Sequence, residues 1–158
     1  MRAILPQLAA LRKEEEEKPR IGVFEGVDEL KLLYDDMLET KQHIAGIVPW
    51  EDWNHLLGRG FMEDFIERRT SHGLRMRLLA PRTPVAEELK NRDAHELRET
   101  RFTPLDIPMR TTMFLYGAKA AVVSLNKKLP VAVVIEDADV HETLFSFFEQ
   151  LWERSALA

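Results

Sequence analysis

A chain of 158 residues, 45% of them hydrophobic, has the size of one compact domain with a core of its own. Its 22 Lys and Arg against 27 Asp and Glu leave a formal charge of -5, which gives the whole chain no net attraction for a polyanion and argues against nucleic-acid binding by this segment alone. The absence of cysteine excludes disulfides and thiolate metal sites and fits a reducing, cytoplasmic setting, and no apolar run approaches the roughly 18 residues of a membrane span.

Met1, Ile4, Leu8 and Leu11 follow heptad spacing for under two heptads. A helix this short is marginal alone, so it is expected to pack on a partner chain or to be the tail of a longer helix, the plain alternative being a terminal helix lying on its own domain. Met1 to Leu11 does not read as a leader, because Gln7 interrupts the apolar run and Arg12, Lys13 and four glutamates follow. Glu14 to Glu17 read as a solvated face.

Ile21 to Gly26 is a short strand, and Val27, Leu30, Tyr34, Met37 and Leu38 form a helical stripe reaching about Thr40. His43 to Val48 is a second strand, closed by Pro49. Loop and short helix carry Trp50 and Trp53 as far as Gly60, after which Phe61, Met62, Phe65, Ile66 and Arg69 mark a helix that ends at His72-Gly73. Leu74 to Ala80 is a strand with Arg75 and Arg77 on one face, read as the solvent face of an edge strand. A short helix carries Val85, Leu89 and Arg92, and Glu99 to Phe102 is another strand.

Thr111 to Leu115 and Ala120 to Leu125 form a hairpin in the middle of the sheet, its Tyr116-Gly117-Ala118-Lys119 turn requiring a glycine at positive φ. Val131 to Glu136 is a wholly apolar strand suited to the sheet centre. Val140, Leu144, Phe147, Phe148, Leu151 and Trp152 give the last helix a broad apolar stripe, with Phe145 off it and free to meet a partner. This order predicts an α/β fold, a mixed sheet with helices packed on it, preceded by an N-terminal linker helix.

Phe24-Glu25-Gly26 before a helix, Phe65-Ile66-Glu67-Arg68-Arg69 with Gly73 before a strand, Glu96 to Phe102, Tyr116 to Lys119 and Leu151-Trp152-Glu153 occur in an order that resembles the C-terminal effector-sensing domain of TrmB-like transcriptional regulators, over about Leu5 to Glu153. The resemblance implies one half of a phospholipase D-like fold without catalysis, a linker or dimerisation helix over residues 1–18, and a single α/β sensor domain over 19–158. It implies a small-molecule effector, with a sugar as the guess because relatives sense sugars, and a homodimer with no membrane partner. DNA would be reached only through a winged helix that this chain lacks. The expectation is therefore an excised sensor domain or a stand-alone relative.

A phospholipase D-type enzyme needs a His, a Lys two residues on and an Asp five further. Counted back from Gly117, those places hold Met109, Thr111 and Tyr116, and none of the five histidines has a Lys two residues later. Phosphodiester cleavage is rejected on that ground. No metal-ligand spacing, glycine-rich phosphate loop or Gly-x-Ser-x-Gly elbow is present, so no catalytic residue, metal or cofactor is assigned. Each histidine reads as a surface or boundary residue, and Asp35-Asp36 and Glu51-Asp52 as helix-surface and helix-start charges.

The candidate ligand-binding set is Glu25, Arg98, Glu99, Arg101, Tyr116, Lys119, Ser124 and Glu136 on or beside the strands, with Trp50 at a pocket mouth. Charged inward-facing strand residues are costly unless paired, and a pocket needs a few convergent polar groups of this kind. The plainer readings are an Arg101 ion pair with a carboxylate such as Glu25 or Glu136, and simple packing of Trp50 and Trp53. A ligand-sensing, dimerising regulatory domain is the first functional expectation. A protein-interaction module with a vestigial pocket is the second, and a degenerate hydrolase follows well behind.

Overall fold

The structure, a computed structural model, describes residues 4–103 and 109–155, without the side chains at 4, 13–17, 52 and 54. Met1 of the heptad seam, the Glu14 to Glu17 side chains and that of Asp52 lie outside the described residues. In chain order the elements are α1 (Ile4–Glu17), β1 (Arg20–Glu25), α2 (Gly26–Glu39), β2 (Ile44–Ile47), a 3-10 turn (Trp50–Asp52), α3 (Trp53–Leu57), α4 (Arg59–Ser71), β3 (Met76–Ala80), α5 (Pro84–Lys90), β4 (Arg98–Phe102), β5 (Thr111–Tyr116), β6 (Lys119–Ser124), β7 (Val131–Glu136) and α6 (Ala138–Ser155).

Local chemistry sets several boundaries. Thr83 accepts a hydrogen bond from the Ala86 amide at 3.2 Å and Pro84 follows it, which starts α5 as a capping threonine and an N1 proline should. Gly117, at φ +55, allows the two-residue turn between β5 and β6.

The seven strands form one sheet in the order β1-β7-β6-β5-β2-β3-β4. β2, β3 and β4 run parallel, and the other neighbours are antiparallel. The predicted mixed α/β layering is present, and the β5–β6 hairpin includes the central strand. One face is covered by α2, α3 and α4 around a core in which Tyr34 meets Trp53, Phe61, Phe65 and Phe114 edge-on, with centroids 4.8 to 6.0 Å away. The other face is covered by α6 over Ala45, Leu79, Leu115 and Ala120.

Three sequence expectations are corrected. The apolar β7 lies second from the edge and not at the centre, and its Val133 remains 39% exposed because the cluster packed under α6 is built on Ala45, Leu79, Leu115 and Ala120 and leaves it outside. Arg77 is not on an edge: β3 is flanked by β2 and β4, and Arg77 lies against the rings of Phe145, Phe148 and Trp152 at 5.2 to 5.6 Å while paired with Glu149. Phe145 therefore faces inward, stacked on His141 and Phe148, and Phe147 is the aromatic left outside at 62% exposure.

Candidate functional site

The register places Arg20, Glu136, Lys119, Tyr116, Ile44, Met76 and Arg98 in one lateral row across all seven strands. Side chains along such a row point to one face, here the face covered by α2 to α4. Four of the sequence-read candidates thus share a face, but Ile44 and Met76 divide them into two groups.

The first group is built on Arg98. Its side chain is 2% exposed and donates to Asp93 at 2.7 Å, to Glu96 at 2.5 Å and to the Leu89 carbonyl. Asp93 also accepts from the Thr100 amide at 2.6 Å and its hydroxyl at 2.9 Å, so every element of this turn is tied to a partner. The guanidinium lies over the Trp50 ring at 5.4 Å. Trp50 and Arg98, separated by 48 positions in sequence, meet at one aromatic-walled cavity.

That cavity has a volume of about 300 Å³, at the small end of the range for ligand pockets. Val48, Met76, Leu78 and Phe114 form its floor, Trp50, Trp53 and Phe65 its walls, and α4 and α5 its mouth. Arg59 and Glu63, paired at 2.7 Å, stand exposed at the mouth together with Glu88 and Arg92.

Arg69 is the other buried cation in the lining, 1% exposed. It donates to the Leu74 carbonyl at 2.6 Å, to Leu97 at 3.3 Å and to Glu96, bridging the end of α4 to the turn before β4. Leu97 in that turn has φ +46, a left-handed conformation that costs a leucine of order 1 kcal/mol and is held by these bonds. Burial and the neighbouring Arg98 lower the Arg69 pKa to about 10. Its Nε is buried with no hydrogen-bond partner, and so is the Trp50 Nε1, whereas Trp53 Nε1 donates to Thr112 at 2.9 Å.

The second group surrounds Asp36, which accepts from the Tyr116 hydroxyl at 2.8 Å and from Lys119 Nζ at 2.6 and 2.9 Å. Burial, then Asp36 and Glu136, push the Tyr116 hydroxyl far above its ordinary pKa, so it stays a donor. Asp35 likewise pairs with Arg68 at 2.8 Å, and the two aspartates are thus tethers between elements and not simple helix-surface charges.

The remaining candidates lie elsewhere. Glu99 and Arg101 are on the α6 face, where Arg101 binds Glu99 at 2.7 Å, donates to the Trp152 carbonyl at 3.1 Å and covers the Trp152 ring at 4.2 Å. Its partner is therefore Glu99, and neither Glu25 nor Glu136, both at the far side of the sheet. Glu25 is exposed on the opposite edge strand, its amide donating to Glu29 at 2.6 Å, and Ser124 is exposed at the end of β6. A wider groove of about 730 Å³ opens at the start of β2 to β4, lined by His43, Arg75, Arg77, Glu99 and His141. Among the described residues no group of three or more His, Asp or Glu is placed to hold a metal.

Sequence reasoning missed Arg69, Asp93 and Glu96 as members of the site. Arg69 had a signal: it stands four residues after Phe65 and three after Ile66, on the apolar stripe of α4, where a charge requires a buried partner. Asp93 and Glu96 carried none, since their role depends on a turn that only the packing of Arg98 defines.

This architecture is a phospholipase D-like α/β fold, as comparison with solved structures shows. The archaeal chromatin protein TrmBL2, described as showing a novel mode of DNA binding, superposes with a TM-score of 0.60 at 18% identity over 98% of this chain. This chain spans 65% of the TrmBL2 chain. NucT from Helicobacter pylori matches at a TM-score of 0.62 and 8% identity, over 86% of this chain and 97% of its own. Nuc from Salmonella typhimurium, a phospholipase D family member, matches at 0.63 and 12% identity, over 86% and 95%. No family model matches the chain, and no curated protein matches it in sequence. Among the described residues no helix is long and apolar enough to cross a membrane.

Proposed function

We propose that this chain is a cytoplasmic ligand-sensing and dimerising regulatory domain of the TrmB-like kind, acting on DNA only through a separate winged-helix domain. The observation that carries the reading is the cavity, with its aromatic walls and two buried donors that have no partner, in a chain whose His, Lys and Asp places, counted back from Gly117, hold Met109, Thr111 and Tyr116. An effector filling it would contact α4 and α5 together and shift the population of their arrangements, which is what sensing requires. Helix α1, with Leu5, Leu8 and Leu11 exposed at 71%, 55% and 58%, is the natural element for dimerisation and for passing the change on.

Melting curves recorded against sugars, sugar phosphates, nucleotides and organic acids test this. An effector at about 100 times its dissociation constant adds roughly 2.7 kcal/mol, which raises the melting point of a domain this size by about 5 to 10 °C. Saturable stabilisation by one class is expected. The competing reading, an interaction module with a vestigial pocket, is favoured by the open apolar patch of Ile21, Val23, Val122 and Val133, each 39% to 69% exposed. No stabilisation by any class, with self-association that Val23→Lys abolishes, would favour that reading instead.

A further inference from the structure

The cavity's own chemistry narrows what it takes. Four arginines and two glutamates line it, and three of the arginines face carboxylates: Arg59 with Glu63, Arg92 with Glu96, Arg98 with Asp93 and Glu96. Arg69 makes no carboxylate ion pair among the described residues; its charge meets carbonyl oxygens, and one of its N–H groups meets nothing. A buried guanidinium in that state favours an anion over a neutral ligand, because a charge-assisted hydrogen bond in a low-dielectric site is about twice as strong as a neutral one. Trp50 Nε1 adds a second donor seeking an acceptor. The walls offer indole and phenyl surface, and the Trp53 indole N–H is already donated to the Thr112 hydroxyl. Arg59, Glu63, Glu88 and Arg92 stand at the mouth, so a sugar's hydroxyls would find few partners against the rings, and a phosphate would leave the aromatic walls unfilled.

Resting on the sensing reading above, we propose that the cavity binds a small aromatic carboxylic acid. Its ring fills the space against Trp50, Trp53 and Phe65, and its carboxylate oxygens accept from the Arg69 Nε–H and the Trp50 Nε1–H. The carboxylate gives the Arg69 guanidinium a directly bonded anionic partner, where the protein offers it carbonyl oxygens alone as hydrogen-bond acceptors.

The indole N–H resonances of the three tryptophans provide the readout, with Trp50→Phe assigning the Trp50 signal by its loss. Indole-3-acetate and phenylacetate are titrated beside their uncharged amides and maltose. The expected result is a saturable shift of the Trp50 signal with the acids, at least tenfold tighter binding of each acid than of its amide, and loss of the difference in Arg69→Met. Arg69 also ties the fold together, so Met62→Trp, which fills the cavity from α4, serves as a second variant and is expected to abolish binding. Equal binding of acid and amide, or no saturable shift with either acid, overturns the assignment. A saturable shift with maltose, lost in Met62→Trp, overturns the carboxylate and leaves sensing intact. If no compound moves any cavity resonance, the carboxylate assignment falls, and sensing falls with it if the melting curves also show no stabilisation by any class.

Discussion

The guanidinium of Arg98 lies over the indole of Trp50 at 5.4 Å, joining the edge strand β4 to the turn that follows β2. This contact closes one side of the cavity, and the same arginine holds Asp93 and Glu96 beneath it. Arg98 is therefore a structural keystone of the pocket wall, its donors occupied, while Arg69 beside it keeps one donor open.

Arg98→Met should remove about 3 to 5 kcal/mol of stability, because it strands the Asp93 and Glu96 carboxylates in a buried turn. Urea unfolding of the two proteins measures the difference. A loss below 1 kcal/mol would mean that water reaches these carboxylates readily.

Gly46 in β2 has no room for a side chain. A Cβ there would stand 2.9 Å from Phe114 Cδ1, 3.0 Å from Leu78 Cδ2 and 3.1 Å from the Met113 carbonyl oxygen. Gly46→Ala is expected to destabilise by about 1 to 3 kcal/mol through overpacking at the sheet centre, read from the shift in denaturant midpoint.

Stability should also depend on pH through His141. Its ring is stacked on Phe145, and burial lowers its pKa below the ordinary 6.5. The unfolded chain then binds the proton first, so the native state is fully favoured above about pH 6.5 and loses stability as pH falls through the lowered pKa. His141→Phe keeps the stacking and should flatten this part of the stability profile; an unchanged slope would assign it to another group.

Arg77 is expected to matter through its rings as well as its charge. Arg77→Leu loses the contacts with Phe145, Phe148 and Trp152 and the Glu149 pair, at a cost of about 1 to 2 kcal/mol in equilibrium unfolding.

The periodicities that made α2, α4 and α6, and the glycine turn at Gly117, were legible because local spacing and φ preference decide them. The lateral position of β7 was not, since its apolar residues read the same at the centre as beside an edge, and Val133 is left outside the cluster packed under α6. Trp50 and Arg98 were singled out for polarity and aromatic character, yet their meeting depends on the parallel placement of β4, which no local pattern encodes. Arg101 was misassigned a partner because its true one, Glu99, is two residues away on the same strand face, where proximity outweighs long-range pairing.

Whether the cavity holds the effector is decided by calorimetric titration of the domain and its Met62→Trp variant with the compound that most raises the melting point. One saturable site per chain is expected in the parent protein and none in the folded variant. Equal binding by both proteins would place the effector outside the cavity and contradict that expectation.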